Sequence, residues 1–403
     1  MNGVSAAACA WRVAGGLILS AAGILNMGLF LKIGSMFVVG LTGMSLGVEL
    51  KIVMTVLLAL VLFYTIMGGM ISVVVTDYVQ FVVLSIGLLA ACGFAVWHVP
   101  WPQIIDGVRD IKDEAGFNPF HADSHGATYV VWMVFVGLIA SAVWPTAVMR
   151  ACAAADERVV RRLYVWSSIG FLIRFMVPYF LAICALVYIS KDVALAEKFI
   201  AKDGSDVADA PLMALPVFLG QILPAGVIGI VAAGMLAAFM STHDSYLLCW
   251  SSVLTQDVVA PCFRRGLSTK VRLVLARLFI FLIGLFLLGW GLWYAPQDQA
   301  IWEYMAVTGA IYFNGAFTLL LLGIYWKRAS RAGAYAGLLC GCFAVVGLKP
   351  VSSKLGLTDL VNAYGATTFS AAVGLITAAA ALVMMALVSL VVPDRGKTES
   401  GTA

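Results

Sequence analysis

The sequence predicts an all-α integral membrane protein of about ten transmembrane helices, and three observations predict it. Of its 403 residues 62% are hydrophobic and only 11% charged, the mean hydropathy is +1.00, and the apolar residues fall in runs of span length between charged breaks. A soluble domain is about half apolar and about a quarter charged, and no soluble core hides this much apolar surface. The bilayer is therefore the solvent, which excludes a cytosolic enzyme, a nucleic-acid binder and a secreted disulfide scaffold. Of the eight cysteines, Cys92, Cys184, Cys249, Cys340 and Cys342 lie in apolar runs. Cys9, Cys152 and Cys262 lie at ends read below as cytoplasmic, so no disulfide framework is expected.

A crossing helix needs about 20 mostly apolar residues. The first such run, 13–40, is too long for a signal peptide and lacks a small-residue cleavage site. The second and third, 52–67 and 71–97, are separated by Gly68-Gly69. The fourth, 128–148, contains Trp144-Pro145, and the fifth, 163–190, contains Arg174 four residues before Pro178. The sixth, 225–255, is rich in small residues; 271–294 and 302–325 follow, then a short run at 333–348 after a tight turn, and lastly 366–392. Ten spans put both termini on one side. With that side cytoplasmic, the inner segments hold Arg12, then Arg150, Arg158, Arg161 and Arg162, then Arg264, Arg265, Lys270 and Arg272. They also hold Lys327, Arg328 and Arg331, and finally Arg395 and Lys397. The outer segments hold only Lys51, Arg109, Lys112, Lys191, Lys198, Lys202, Lys349 and Lys354. The inner excess of basic residues predicts both ends in the cytoplasm. The net charge of +4 is accordingly a topology signal rather than a sign of an anionic partner.

Polar groups at membrane depth are costly and mark functional candidates. Asp77 follows Gly68-Gly69 and Thr76 early in the third run; it is either a carboxylate favoured by a helix N-terminus or one lining a cation path. In the sixth run the segment from Ala232 to Ser245 combines small residues at 234, 237, 238 and 241 with the adjacent hydroxyls of Ser241 and Thr242. These residues allow close helix packing, and the hydroxyls with neighbouring carbonyls can supply hard oxygen ligands to a small cation. Arg174 needs a partner at its depth: either a structural ion pair with Asp77 or Asp244, or a polar or anionic group of a solute. Trp144-Pro145 is either a plain kink or the broken helix that lines a transporter site. His121-Ala-Asp-Ser-His125 reads as a solvated loop rather than a metal site. No phosphate-cradling loop, nucleophile elbow or zinc pattern is present in the sequence, so no chemistry on a solute, no enzyme activity and no cofactor are expected.

Gly68-Gly69 with Thr76-Asp77-x-x-Gln80 resembles the GG…TD..Q element of the solute:sodium symporter family, and Ala237-Ala238-Phe239-Met240-Ser241-Thr242-x-Asp244-Ser245-x-Leu247 resembles its AAxMST.DSxL helix. Arg150 followed by Arg161-Arg162, and Leu322-Gly323-Ile324-Tyr325-Trp326-Lys327-Arg328 before Gly333-Ala334, agree with it in order. The resemblance implies a leucine-transporter-like fold of two inverted five-helix repeats. Residues 1–97 would be the remainder of the first repeat, 128–325 the second repeat and 333–392 trailing helices, within a single transmembrane domain, 1–403. Nothing before the first span resembles the family's leading helix or core helices one and two, so the first repeat is expected to be incomplete.

The resemblance further implies a sodium-coupled symporter, in the plasma (cell inner) membrane, that moves a small polar solute by alternating access. Sodium would be held by the Ala238 carbonyl and the Ser241 and Thr242 hydroxyls, with Asp77 on the ion path. Arg174, Ala140 and Trp144 would line the solute pocket. Residues 137–140 lack the Asn and Tyr of sugar carriers, which argues against a sugar. The rival expectation is a truncated, non-transporting paralogue or interaction subunit.

Overall fold

The computed structural model describes residues 6–121, 125–199, 210–263, 266–293 and 301–394, and among them there is no strand. Sixteen α-helices follow in order: α1 Ala6–Met27, α2 Phe30–Thr42, α3 Val48–His98, α4 Trp101–Lys112, α5 Gly126–Val143, α6 Pro145–Cys152, α7 Glu157–Lys191 and α8 Val193–Phe199, then α9 Ala210–Ile222, α10 Ala225–Val253, α11 Thr269–Trp293, α12 Ile301–Tyr325, α13 Arg331–Cys342, α14 Lys349–Lys354, α15 Thr358–Tyr364 and α16 Ala366–Val391. Eight described segments are long and apolar enough to cross a membrane.

The expected second and third spans are joined into α3. At about 1.5 Å per residue its 51 residues would extend about 76 Å, more than twice the hydrocarbon thickness of about 30 Å. The helix is broken at Gly69, whose φ of 62° and ψ of −166° belong to a region that side chains exclude. Arms of span length, 48–68 and 70–98, therefore lie on either side of the predicted breakpoint. The first expected span is interrupted at Gly28-Leu29, between α1 and α2, and resumes without a polar loop. The expected ninth span is the short helix α13, continued by a 3₁₀ turn over Phe343–Gly347. Five helices, α4, α8, α9, α14 and α15, lie in the connections between the expected spans. Amphipathic α4 starts at Pro100-Trp101-Pro102 and buries Ile104 and Val108 beside Val187 of α7. Apolar α9, with Pro216 inside it, packs on α2 and α7.

In lipid there is little hydrophobic force between helices, so close packing must hold them together. The second arm of α3 packs closely on α10. A Cβ at Gly87 would stand 3.1 Å from the Ile230 carbonyl, and one at Gly234 would stand 3.2 Å from the Leu84 Cα. These contacts pair Gly87 with Val231 and Leu84 with Gly234, an antiparallel register that, continued by two turns, brings Asp77 level with Ser241, one turn before Ser245. Trp250 is fully buried in the central cluster, among Met27, Leu31, Leu57 and Phe239. Helix α12 is tied to α1 by Asn26, whose amide donates to the Met305 carbonyl and Thr308 hydroxyl, both at 2.9 Å. It is tied to α16 by Asn314, which donates to the Gly374 carbonyl at 3.0 Å and the Thr377 hydroxyl at 2.9 Å. The trailing α13 and α16 pack on α12, and α16 also meets α5.

Candidate functional site

Ala238, Ser241, Thr242 and Ser245 follow one another at helical spacing and form a single stripe of α10. Along it the Thr242 hydroxyl donates to the Ala238 carbonyl at 2.8 Å, so two of the three expected sodium ligands touch each other. The Ser245 hydroxyl lies 2.8 Å from the Ser241 carbonyl and 3.1 Å from Asp244 Oδ1.

The stripe ends on an ion pair. Arg150, at the end of α6, places Nη2 2.8 Å from Asp77 Oδ2 and donates to the Ser245 hydroxyl at 2.6 Å. One guanidinium thus joins α6, the second arm of α3 and α10. Asp244 is wholly buried on the adjoining stripe, and its Oδ2 accepts from the Tyr64 hydroxyl at 2.6 Å. Asp77 Oδ1, Gln80 Oε1 and Thr65 Oγ1 are buried and make no hydrogen bond among the described residues. The result is an oxygen-rich cluster with two carboxylates against one guanidinium. Hard oxygen donors with a surplus acceptor suit a hard cation; an orphaned carboxylate oxygen in a closed site is otherwise costly.

Of the residues named from the sequence, Asp77 lies in this cluster and Ala238, Ser241 and Thr242 lie on the stripe leading to it. The ion pair considered for Arg174 is not made. Asp77 takes Arg150 instead, and Arg174 stays exposed on α7 with its guanidinium carbon 5.5 Å from the Phe171 ring centre. Arg150, Ser245 and Tyr64 were not singled out as site residues. Arg150 read as a topology marker, and its partner is 73 positions away. The available signal is an acidic residue, Asp77, early in an apolar run and in want of a cation.

The fourth expected span is broken, as its Trp-Pro pair allowed. Trp144 is extended (φ −66°, ψ 117°) between α5 and α6, and its N–H is retained by the Ala140 carbonyl one turn earlier at 2.9 Å. Ala140 and Trp144 pack together against Phe313. The Trp144 ring also stands 5.5 Å from Tyr246 and 6.1 Å from Trp250. The Tyr246 ring also packs on Phe30, with ring centres 5.7 Å apart. A separate open cavity of about 730 Å³ lies between α2 and α9, lined by Gly40, Met44, Phe199 and Gln221 among others; none of the expected site residues borders it. Ala122, Asp123 and Ser124 of the His121–His125 loop lie outside the described residues.

The model of the sodium:solute symporter family matches residues 13–341. The chain is similar to solute carrier family 5 member 4B of Mus musculus, at 25% identity covering 76% of this chain and 50% of that protein. It is similar to sodium/glucose cotransporter 1 of Sus scrofa, at 25% identity with coverages of 74% and 49%. Its identity to sodium/proline symporter 2 of Staphylococcus saprophyticus is 27%, with coverages of 77% and 59%. The chain thus spans about half the length of the curated relatives it matches. Among solved structures it shares the fold of a Na+-coupled sialic acid symporter in a substrate-bound outward-open state, with a TM-score of 0.70 at 19% identity, covering 95% of this chain and 76% of that one. With that fold and a family match across most of its length, the chain belongs to the sodium:solute symporter family.

Proposed function

We propose that the protein is a sodium-coupled secondary symporter that moves a small polar solute across the plasma membrane by alternating access, with both described ends facing the cytoplasm. The observation that carries this reading is the oxygen stripe of α10, which runs from the Ala238 carbonyl through Ser241 and Thr242 to the Asp77 carboxylate. Sodium is held by the Ala238 carbonyl and the Ser241 and Thr242 hydroxyls, and Asp77 stands on its route to the cytoplasm. Residues 1–97 serve as part of a first repeat and 128–325 as the second, with 333–392 trailing outside them. The broken helix α5–α6 contributes Ala140 and Trp144 to the solute pocket, and α7 contributes Arg174. Sodium binding favours one conformation and raises solute affinity there through differential binding.

The purified protein is expected to melt at a higher temperature in sodium chloride than in equimolar potassium chloride. Replacing Ser241 and Thr242 together with Ala should abolish that difference while leaving the potassium melting temperature within a few degrees. An undiminished sodium shift in the double variant would overturn the site assignment. Absence of any shift in the native protein would remove sodium coupling.

A further inference from the structure

From Arg161 to Met176 every residue of α7 is exposed, on all sides of the helix, so no other described element buries this half. Arg158, Arg161 and Arg162 stand at its start, and their spacing of three and four residues puts them on one face. None of the three guanidinium groups makes an ion pair or a hydrogen bond among the described residues. The acids beside them do not compensate. The Asp156 carboxylate is engaged in starting the helix, where it accepts from the Val159 N–H at 2.8 Å, and Glu157 has no cation within ion-pair distance. Other basic residues of the inner segments are matched: Arg12 by Asp257, Arg150 by Asp77 and Arg272 by the Gln256 side chain. Arg158 also lies in the first turn of α7, where the positive end of the helix dipole adds to the excess of positive charge.

Beyond the triad the same face turns apolar. Steps of three and four residues lead through Val165, Ile169, Leu172 and Met176, each more than half exposed. From Arg162 to Met176 this strip runs about 21 Å at a rise of about 1.5 Å per residue. That exceeds one leaflet's half of a hydrocarbon core of about 30 Å. Trp166, one turn beyond Arg162, is 71% exposed and stands where interfacial indoles anchor helices. Three unmatched guanidinium groups over an exposed apolar strip are complementary to an amphiphile with an anionic head. A guanidinium meets phosphate oxygens with paired hydrogen bonds, and the cytoplasmic leaflet supplies anionic headgroups. The exposed Lys327 and Arg328, by contrast, sit in a turn and share no helix face with such a strip.

We propose that the start of α7 binds an anionic phospholipid, its phosphate held by Arg158, Arg161 and Arg162 and an acyl chain laid along Val165, Ile169, Leu172 and Met176. The proposal takes from the symporter reading only the cytoplasmic placement of this end, and binding in detergent tests it without transport or sodium.

The test titrates the full chain, in a neutral detergent, with phosphatidylglycerol or with phosphatidylcholine of the same acyl chains. Binding is read by native mass spectrometry and by melting temperature. Phosphatidylglycerol should bind at least about tenfold more tightly and give the larger rise in melting temperature. Arg158→Gln, Arg161→Gln or Arg162→Gln alone should weaken it about fivefold, and the three together should abolish the preference. Replacing all three with Lys should keep most of it. Lys327→Gln with Arg328→Gln, which removes two charges assigned to the same side, should leave it intact. All these side chains are exposed, so the variants should melt near the native temperature in phosphatidylcholine, and that measurement verifies folding. Equal binding of the two lipids would overturn the proposal. So would a preference that survives the triple Gln change, or one that falls as far in the variant at 327 and 328. Glycerol 3-phosphate should have no effect at the same concentrations; stabilisation equal to that by phosphatidylglycerol would mean a site for free phosphate and overturn the lipid assignment.

Discussion

The contact between Arg150 and Asp77 joins three helices, and removing both partners should cost less than the two single removals added together. At 2.8 Å and an effective dielectric of about 20, the gross attraction is about 6 kcal/mol. The side chains are 34% and 20% exposed, so solvent screening and desolvation leave only a fraction of that as net coupling, about 2 kcal/mol. Arg150→Gln leaves a carboxylate with neither oxygen matched, since Oδ1 is already unbonded, and should cost about 3 kcal/mol. Asp77→Asn should cost about 2 kcal/mol, because the exposed edge of Arg150 can turn toward water and Ser245. The double variant should cost about 3 kcal/mol, about 2 kcal/mol less than the sum of the single changes. The assay is a double-mutant cycle on unfolding in detergent micelles, with sodium replaced by potassium so that ion binding does not contribute. Single-variant losses that add to within about 0.5 kcal/mol would refute the reasoning, because groups in direct contact do not behave independently.

Further outcomes follow from other features. Gly69→Ala meets no atom within 4 Å, so its whole cost is backbone strain, about 1–3 kcal/mol, read as a lower melting temperature; an unchanged melt would mean that the break at 69 is not held. Trp132 is fully buried against α16, where a Cβ on Gly374 would lie 2.5 Å from its ring. Trp132→Ala should cost about 3–5 kcal/mol by opening a cavity, and Gly374→Val should be destabilising by overpacking the same place. Asn26→Leu removes two hydrogen bonds between α1 and α12 and leaves the Met305 carbonyl and Thr308 hydroxyl one donor short. The expected loss is about 1–3 kcal/mol, checked by the same melting assay.

Much of this architecture is legible in the sequence because a membrane imposes a length on every apolar run. The breaks at Gly68-Gly69 and at Trp144-Pro145 were readable, since glycine and proline announce what backbone they permit. Helices α4 and α9 were not, because one is only amphipathic and the other, at 13 residues, is too short to satisfy a span criterion. The adjacent hydroxyls of Ser241 and Thr242 were legible on a single helix, and the resemblance added Ala238 to them. The role of Arg150 was not, because it depends on the register between α3 and α10, which is set by close backbone approach at Gly87 and Gly234. The same limit applies to Tyr246: nothing in its neighbourhood on α10 reveals that Trp144 packs 5.5 Å from its ring.

The short helix α6 has Trp144 at one end and Arg150 near the other, a rise of about 9 Å for six residues. A rod of two turns is too short to bend appreciably, so it acts as a lever. Any solute that tilts the indole also moves the guanidinium that holds Asp77 and Ser245, and any ion that displaces this guanidinium moves the indole. The two ends share one mechanical degree of freedom. If both are occupied as proposed, the energy that a solute puts into the rod at one end must equal what an ion gains or loses at the other.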